Sequence, residues 1–237
     1  MHDMPQWLHL IALGSLGLAC LCAVVIFAHI TGHPQRMGIM DGVWPIAALF
    51  GSVLVLIGYY CYGAQDAEDV PEHERESAPF PIAVAKGTLH CGSGCTVGDI
   101  VAESLLLIFP GMATWFGWHW LFEQKLFAAW VLDFILAFIA GIFFQYFAIA
   151  PMRNLPLGQG IVAALKADSL SLTAWQVGMY GVMALLQYKV FKPLLGSHVT
   201  AAQPEFWLTM QWAMIGGFIT SYPVNGWLIR AGVKEAM

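Results

Sequence analysis

Apolar residues are concentrated in six long runs along the chain, separated by shorter polar segments. A membrane-spanning helix needs about 20 predominantly apolar residues, and each run is close to that length. The pattern therefore predicts an all-α fold, a polytopic integral membrane protein with six transmembrane helices. The runs cover approximately Trp7–Ile30, Val43–Tyr62, Val97–Trp118, Ala128–Ala150, Leu172–Val190 and Phe206–Ile229.

The polar segments divide the predicted helices into two groups. Residues 1–62 are predicted to form an N-terminal hairpin of two membrane helices. Residues 63–85 are acidic and contain several prolines, which is typical of a hydrophilic linker. Residues 86–237 are predicted to form a four-helix membrane core.

Composition narrows the classes of function. The chain of 237 residues is 59% hydrophobic and 11% charged, whereas soluble domains carry about a quarter charged residues, so a soluble globular protein is excluded. The net charge is −5 without a basic block, so no nucleic-acid partner is expected. The five cysteines are an odd number and three lie in or beside the first two predicted helices, unlike a secreted disulfide framework.

Lysine and arginine in the loops predict the orientation, because cytoplasmic loops are enriched in both. Six spanning helices place both termini at one side of the membrane. That side carries six such residues and the other side four, which favours cytoplasmic termini. The two sets are Arg75, Lys86, Arg153, Lys166, Arg230 and Lys234 against Arg36, Lys125, Lys189 and Lys192.

Polar, small and methionine residues recur at intervals of three, four or seven residues within the predicted core helices. Side chains four residues apart share one helix face, and ionisable groups within membranes usually face the bundle interior. The simplest arrangement turns all these rows inward. Gln145, Gln176, Gln211 and Asn225 are expected to act mainly as hydrogen-bonding contacts between helices, whereas the carboxylates Asp133 and Glu103 are harder to assign to packing. The rows are Asp133, Ala137, Gly141 and Gln145; Gln176, Met179, Met183 and Gln187; Gln211, Met214, Ser221 and Asn225; and the pair Asp99 and Glu103.

The segment "HCGSGC" is the strongest candidate for chemistry. Its glycines disfavour helix, so a loop is predicted, with Thr96 as N-cap of a helix that starts near Val97. Thiols near a helix N-terminus are activated as thiolates, and with His90 they suggest a site for Cu(I) or, as second choice, Zn(II). A redox dithiol and a turn with inert cysteines stay open as alternatives. The predicted ligands are His90, Cys91 and Cys95, with Asp99 and Glu103 tuning the charge beside them.

Two methionine pairs add soft ligands. Met179 with Met183 and Met210 with Met214 place their thioethers on one face of each helix. Thioethers suit Cu(I), but methionine is also an ordinary filler of apolar cores. Both interpretations stay open, and under the first one the four methionines line a path for the ion.

The four-helix core resembles a bacterial membrane family known as domain of unknown function 4396. The resemblance covers residues 86–237 and lies in "LHCGSGCTVGDIVAE", "FQYFAIAPMRNL", "ALKADSLSLTAWQVGMY" and "FITSYPVNGWLIRAGVKEAM". It implies a location in the bacterial inner membrane and no established activity. Members similar to this chain often carry tails rich in His and Met before the core, which suggests metal handling.

The leading functional hypothesis is a membrane protein that binds or transports a soft metal ion, with Cu(I) preferred. An ion path in so small a core suggests a homo-oligomer. The first alternative is a membrane-embedded subunit or scaffold of a larger complex, whose polar rows serve assembly. The second is a membrane enzyme that uses Cys91 or Cys95 as nucleophile and His90 as base; a non-enzymatic role is the more expected outcome.

Overall fold

A computed structural model of the protein describes residues 4–71, 73, 78–196 and 198–235, with only the backbone of residues 150–153. Among these residues the secondary structure is helical, with no β-strand. π-helical turns extend α2 at Tyr59–Gly63 and join α5 to α6 at Gln187–Phe191. The helices are α1 (Gln6–Gly32), α2 (Met40–Gly58), α3 (Phe80–Ile108), α4 (Lys125–Arg153), α5 (Leu157–Leu186), the one-turn α6 (Lys192–Leu195) and α7 (Pro204–Arg230).

The predicted all-α class is confirmed. Within the described part of the chain, five helical segments are long and apolar enough to cross a membrane. Helix α7 is not one of them, although it is as long as α1, because it carries polar residues such as Gln211, Ser221 and Asn225 that are buried within the bundle. The five segments are Gln6–Gly32, Met40–Asp66, Phe80–Ile108, Lys125–Ile149 and Leu157–Leu195.

Helix α2 is broken in its middle. Ser52 has φ 45° and ψ −127°, which are not helical angles. The Trp44 and Tyr59 rings lie 5.5 Å apart, whereas a straight helix would separate these residues by about 22 Å. Backbone hydrogen bonds from Arg36 to Asp66 and from Glu68 to Pro34 join the two ends of the segment.

The segment Met40–Asp66 is therefore a re-entrant hairpin, with a tip at Ser52 and both ends at the same end of the bundle. The tip reaches the bundle middle, where the Ser52 hydroxyl lies 4.0 Å from the sulfur of Cys22 and Phe50 packs edge-on against the buried Trp175. This corrects the prediction that residues 43–62 form a second spanning helix, since composition alone does not reveal the reversal.

The two chain termini lie at opposite ends of the bundle, which corrects the predicted placement of both at one side. At the N-terminal end, α1 begins beside the start of α7, where His9 contacts Glu205 at 2.7 Å and Ser15 donates to Gln211 at 2.7 Å. At the C-terminal end, α7 finishes beside the start of α3, where Arg230 lies over the ring of Phe80. Both ends of the re-entrant hairpin are also there.

Small residues let the core helices approach closely, as in many membrane bundles. Helices α3 and α4 meet where Gly94 faces Gly141 and Gly98 faces the backbone of Ala137. Helices α5 and α7 meet where Gly178 faces Gly216. These contacts bring the inward rows of all four core helices into one interior.

Candidate functional site

The "HCGSGC" segment lies inside helix α3, so the predicted loop is wrong. The helix begins at Phe80 and is continuous to Ile108. Thr96 does not cap a helix start, because its hydroxyl donates to the carbonyl of Gly92 one turn earlier. The glycines serve packing instead: a side chain at Gly92 would collide with Trp175, and one at Gly94 with Gly141.

A continuous α3 places four predicted site residues on a single face. Cys91, Cys95, Asp99 and Glu103 follow at four-residue intervals and are all buried. Cys91 lies about 16 Å along the helix axis from Phe80, at 1.5 Å per residue. The thiols are therefore in the middle of the bundle, so the predicted activation by a helix N-terminus does not apply to them.

The predicted inward rows on the other core helices are confirmed by burial. Asp133 and Gln145 on α4, Gln176 and Gln187 on α5, and Asn225 on α7 are each at most 1% exposed. Asp133 lies close enough to Asp99 and Glu103 for their charges to interact. Helices α3 and α4 thus contribute three buried carboxyl groups to the same region of the bundle.

Several of these buried groups have no hydrogen-bond partner among the described residues. They include both carboxylate oxygens of Asp99 and of Asp133, and the amide groups of Gln145 and Gln176. Gln211 does connect two elements, because its amide donates to the carbonyl of Leu49 at 2.9 Å. Buried polar atoms are normally paired with protein or water, so this interior has unused capacity to bind a polar ligand.

A cavity of about 260 Å³ lies beside the tip of the re-entrant hairpin. Leu49 and Phe50 line it from the hairpin, Asp99 from α3, and Met210 and Met214 from α7. Three predicted site residues from two helices therefore share one cavity. A broken helix within a membrane is tolerated where it lines such a protein cavity.

A second cavity, of about 300 Å³, lies at the N-terminal end of the bundle. It is lined by Glu103, Lys125 and His198, together with apolar residues of α3, α4 and the α6–α7 connection. Burial lowers the pKa of His198, and the nearby charge of Lys192 lowers it further. The imidazole is therefore biased toward its neutral form, which can accept a hydrogen bond or bind a cation.

Near Cys91, the row of candidate ligands on α3 lies beside a buried ion pair. Lys234 donates to Asp168 at 3.2 Å, and the hydroxyl of Ser171 lies 3.0 Å from the same carboxylate oxygen. Ser171 is also 3.7 Å from the sulfur of Cys91. Lys166, two residues before Asp168 on α5, is exposed.

His90 is fully buried but does not join the row of thiols. Its ring packs edge-on against Phe144 of α4. The backbone of Phe144 is close enough to interact with the ring, but neither ring nitrogen makes a well-aligned hydrogen bond to a described residue. The structure thus gives no support to His90 as a base for Cys91, although the charges of Asp168 and Lys234 are within its reach.

The remaining predicted ligands, Met179 and Met183, belong to the apolar core. Both are 1% exposed, and the sulfur of Met183 lies 3.9 Å from the Gln187 amide nitrogen. Neither lines the cavity at the hairpin tip. Across the described part of the chain, His, Cys, Asp and Glu side chains form no group of three that could hold a metal ion.

Sequence reasoning missed three parts of this site: the re-entrant tip, the pair of Asp168 with Lys234, and the cavity at Glu103. Two signals were present. Gly51 and Ser52 interrupt an apolar run, as residues at a helix break often do. Lys234 is a charged residue close behind an apolar helix, but no sequence pattern shows that it turns back into the bundle.

Comparison with known proteins identifies the family to which the four core helices belong. No curated protein and no solved structure matches the chain significantly. A family model described as "Domain of unknown function (DUF4396)" matches residues 83–234, which is more than half of the chain and includes α3, α4, α5 and α7. The chain therefore belongs to the DUF4396 family.

Proposed function

We propose that this protein binds a soft metal cation within the membrane and passes it through the helix bundle, with Cu(I) as the ion to test first and Zn(II) second. One observation carries the proposal. The cavity at the hairpin tip is lined by Met210 and Met214 and by Asp99, whose carboxylate has no hydrogen-bond partner among the described residues.

The donor set suits a monovalent soft ion better than a hard one. Thioethers are ligands for Cu(I) and bind hard cations poorly. One carboxylate balances the charge of one monovalent ion, which matters in a low-dielectric interior where net charge is costly. Cys95 lies one turn from Asp99 on the same face of α3 and would offer the next ligand, followed by Cys91.

The row of candidate ligands on α3 supports movement of the ion through the bundle rather than binding at one site alone. Glu103 opens into the cavity at the N-terminal end, and Asp99 lines the cavity at the tip. Conduction requires several successive sites of moderate strength instead of one closed cage. Glu103, Asp99, Cys95 and Cys91 would supply such a series along about half of the helix.

The hairpin changes how many lysine and arginine residues lie at each end of the bundle, and this changes the expected orientation. Because Arg36 lies beside the re-entrant hairpin, it joins the residues at the C-terminal end of the bundle. Of the lysines and arginines in the part of the chain that the structure describes, six then lie at the C-terminal end and three at the other end. We therefore place the C-terminal end in the cytoplasm of a bacterium and the N-terminus outside the inner membrane.

Ion binding to the purified protein in mild detergent tests the proposal. We expect about one Cu(I) per chain, measured under reducing conditions by elemental analysis and competition with a chelator. Asp99→Asn and the double variant Met210→Leu/Met214→Leu should each weaken binding about tenfold or more, which is a loss of at least about 1.4 kcal/mol, because each removes ligands of the proposed site. Cys91→Ser/Cys95→Ser should remove the sites that follow.

Met183→Leu is the matched control, because it removes a buried thioether of the same bundle that does not line the cavity. Its Cu(I) affinity should equal that of the wild type. Equal loss in all methionine variants would show a general packing effect. The absence of Cu(I) and Zn(II) binding in the folded wild type would contradict the proposal and favour a scaffold role.

A further inference from the structure

We propose that Asp168, Ser171 and Cys91 form a further cation site, whose occupant in this structure is the ammonium group of Lys234. The inference rests on the proposed function, because Cys91 is also the last ligand of the proposed series on α3. It concerns the C-terminal end of the bundle, away from the cavity that contains Asp99, Met210 and Met214.

The backbone after α7 is built to return Lys234 to the bundle. Gly232 has φ +68° and donates to the carbonyl of Ile229, while Val233 donates to that of Leu228. This pair of bonds is a Schellman motif, in which a left-handed glycine reverses the chain. Residues 231–233 are exposed, but Lys234 is buried.

The lysine side chain enters along the face of α3 that carries the candidate ligands. Gly87 lies one turn before Cys91, and a side chain at Gly87 would contact the Lys234 stem at 4.0 Å. The ammonium reaches Asp168 at 3.2 Å and the Ser171 hydroxyl at 3.5 Å. The row of candidate ligands on α3 therefore ends beside the positively charged ammonium group of Lys234.

The surroundings of the ammonium are those of a cation site. A carboxylate, a hydroxyl and a thiol sulfur can all accept hydrogen bonds or bind a metal. The second oxygen of Asp168 has no hydrogen-bond partner among the described residues and lies against Gly141, next to the side chain of Leu172. Both ring nitrogens of the nearby His90 are likewise unused.

A buried ion pair is weak evidence for a role in stability. Exchange of a buried ion pair for apolar residues is often neutral or stabilising, because charges are costly to desolvate. A lysine ammonium is a compact monovalent charge on a flexible stem, so it resembles the ion that the site would bind. An ion that arrives at Cys91 and Asp168 would displace Lys234 and release the C-terminal segment.

The inference is tested by measuring whether a metal ion and the Lys234 ammonium group compete for the same site. Ag(I) serves as the probe because it is a soft monovalent cation that is stable in air. We expect Lys234→Gln to bind one more Ag(I) per chain than the wild type, or to bind it about tenfold more tightly, within the usual range of coupling between sites. Asp168→Asn in the Lys234→Gln background should abolish that gain.

Two controls separate this inference from the proposed function and from loss of folding. Lys166→Gln removes an exposed lysine of α5 and should leave Ag(I) binding unchanged. The gain from Lys234→Gln should persist when Asp99, Met210 and Met214 are replaced, because those residues line another cavity. No gain in a folded Lys234→Gln protein would overturn the inference.

The wild-type chain supplies a measurement that needs no variant. Lys234 is buried and should resist an amine-reactive mass label in the absence of ion. Saturating Ag(I) should expose it to labelling, while the labelling of Lys166 stays constant. If Lys234 remains protected with Ag(I) bound, the ion does not compete with the ammonium and the inference fails.

Discussion

At the residue scale, Ser52 is one of three non-glycine residues with positive φ in the described part of the chain. A positive φ is rare for residues other than glycine and costs about 1–3 kcal/mol. Ser52 adopts φ 45° at the tip of the re-entrant hairpin, between Gly51 and Val53. The surrounding contacts with Cys22 and Trp175 hold the tip in place and maintain that strain.

Glycine at this position should relieve the strain. We expect Ser52→Gly to raise the free energy of unfolding by up to about 1 kcal/mol, since glycine adopts positive φ at little cost. Ser52→Val should lower it, because a β-branched residue cannot adopt this conformation without strain. Thermal unfolding in detergent measures both. A stabilising valine would contradict the observed break.

At the scale of elements, two close helix pairs hold the site together. Helices α3 and α4 touch backbone to backbone at Gly98 and Ala137, and α5 and α7 at Gly178 and Gly216. The contact between α3 and α4 fixes how far Asp99 and Glu103 lie from Asp133. The geometry of the site therefore depends on glycines that carry no chemistry themselves.

Gly98→Ala should separate α3 from α4. The added methyl carbon would lie 2.3 Å from the backbone nitrogen of Ala137, so the helices must move apart, at a cost of about 1–3 kcal/mol. The free energy of unfolding and the Cu(I) affinity should both fall. Gly181→Ala is the matched control, because a side chain there meets nothing within 4 Å. Equal effects of the two variants would argue against the packing explanation.

At the scale of the whole molecule, the re-entrant hairpin decides the topology. Because α2 returns to the end at which it starts, α1 and α7 run in the same direction and the termini lie at opposite ends. The row of candidate ligands on α3 then extends from the cavity at the N-terminal end of the bundle toward Lys234 at the C-terminal end.

Reporter fusions test this topology directly. In the inner membrane of a bacterium, a reporter active only in the cytoplasm should work when fused after residue 237. The same reporter fused before residue 1 should be inactive, and one that requires the periplasm should be active there. Two termini on the same side would require α2 to span the membrane and would contradict the hairpin.

The sequence by itself determined the class of the protein. The long apolar runs and the low share of charged residues predict membrane helices, since the bilayer imposes length and polarity on each segment independently. The rows that contain Asp133, Gln176 and Asn225 also predicted the buried faces of their helices, because helix periodicity is local. The family could be identified from its segments for the same reason.

Only the tertiary structure decided how these pieces form a site. The glycines around Cys91 and Cys95 disfavour helix locally, but packing against Trp175 and Gly141 retains them in α3. The reversal at Ser52, the cavity beside Asp99 and the approach of Lys234 to Asp168 each join residues far apart in the chain. Such contacts depend on how whole helices pack, and local periodicity carries no information about that.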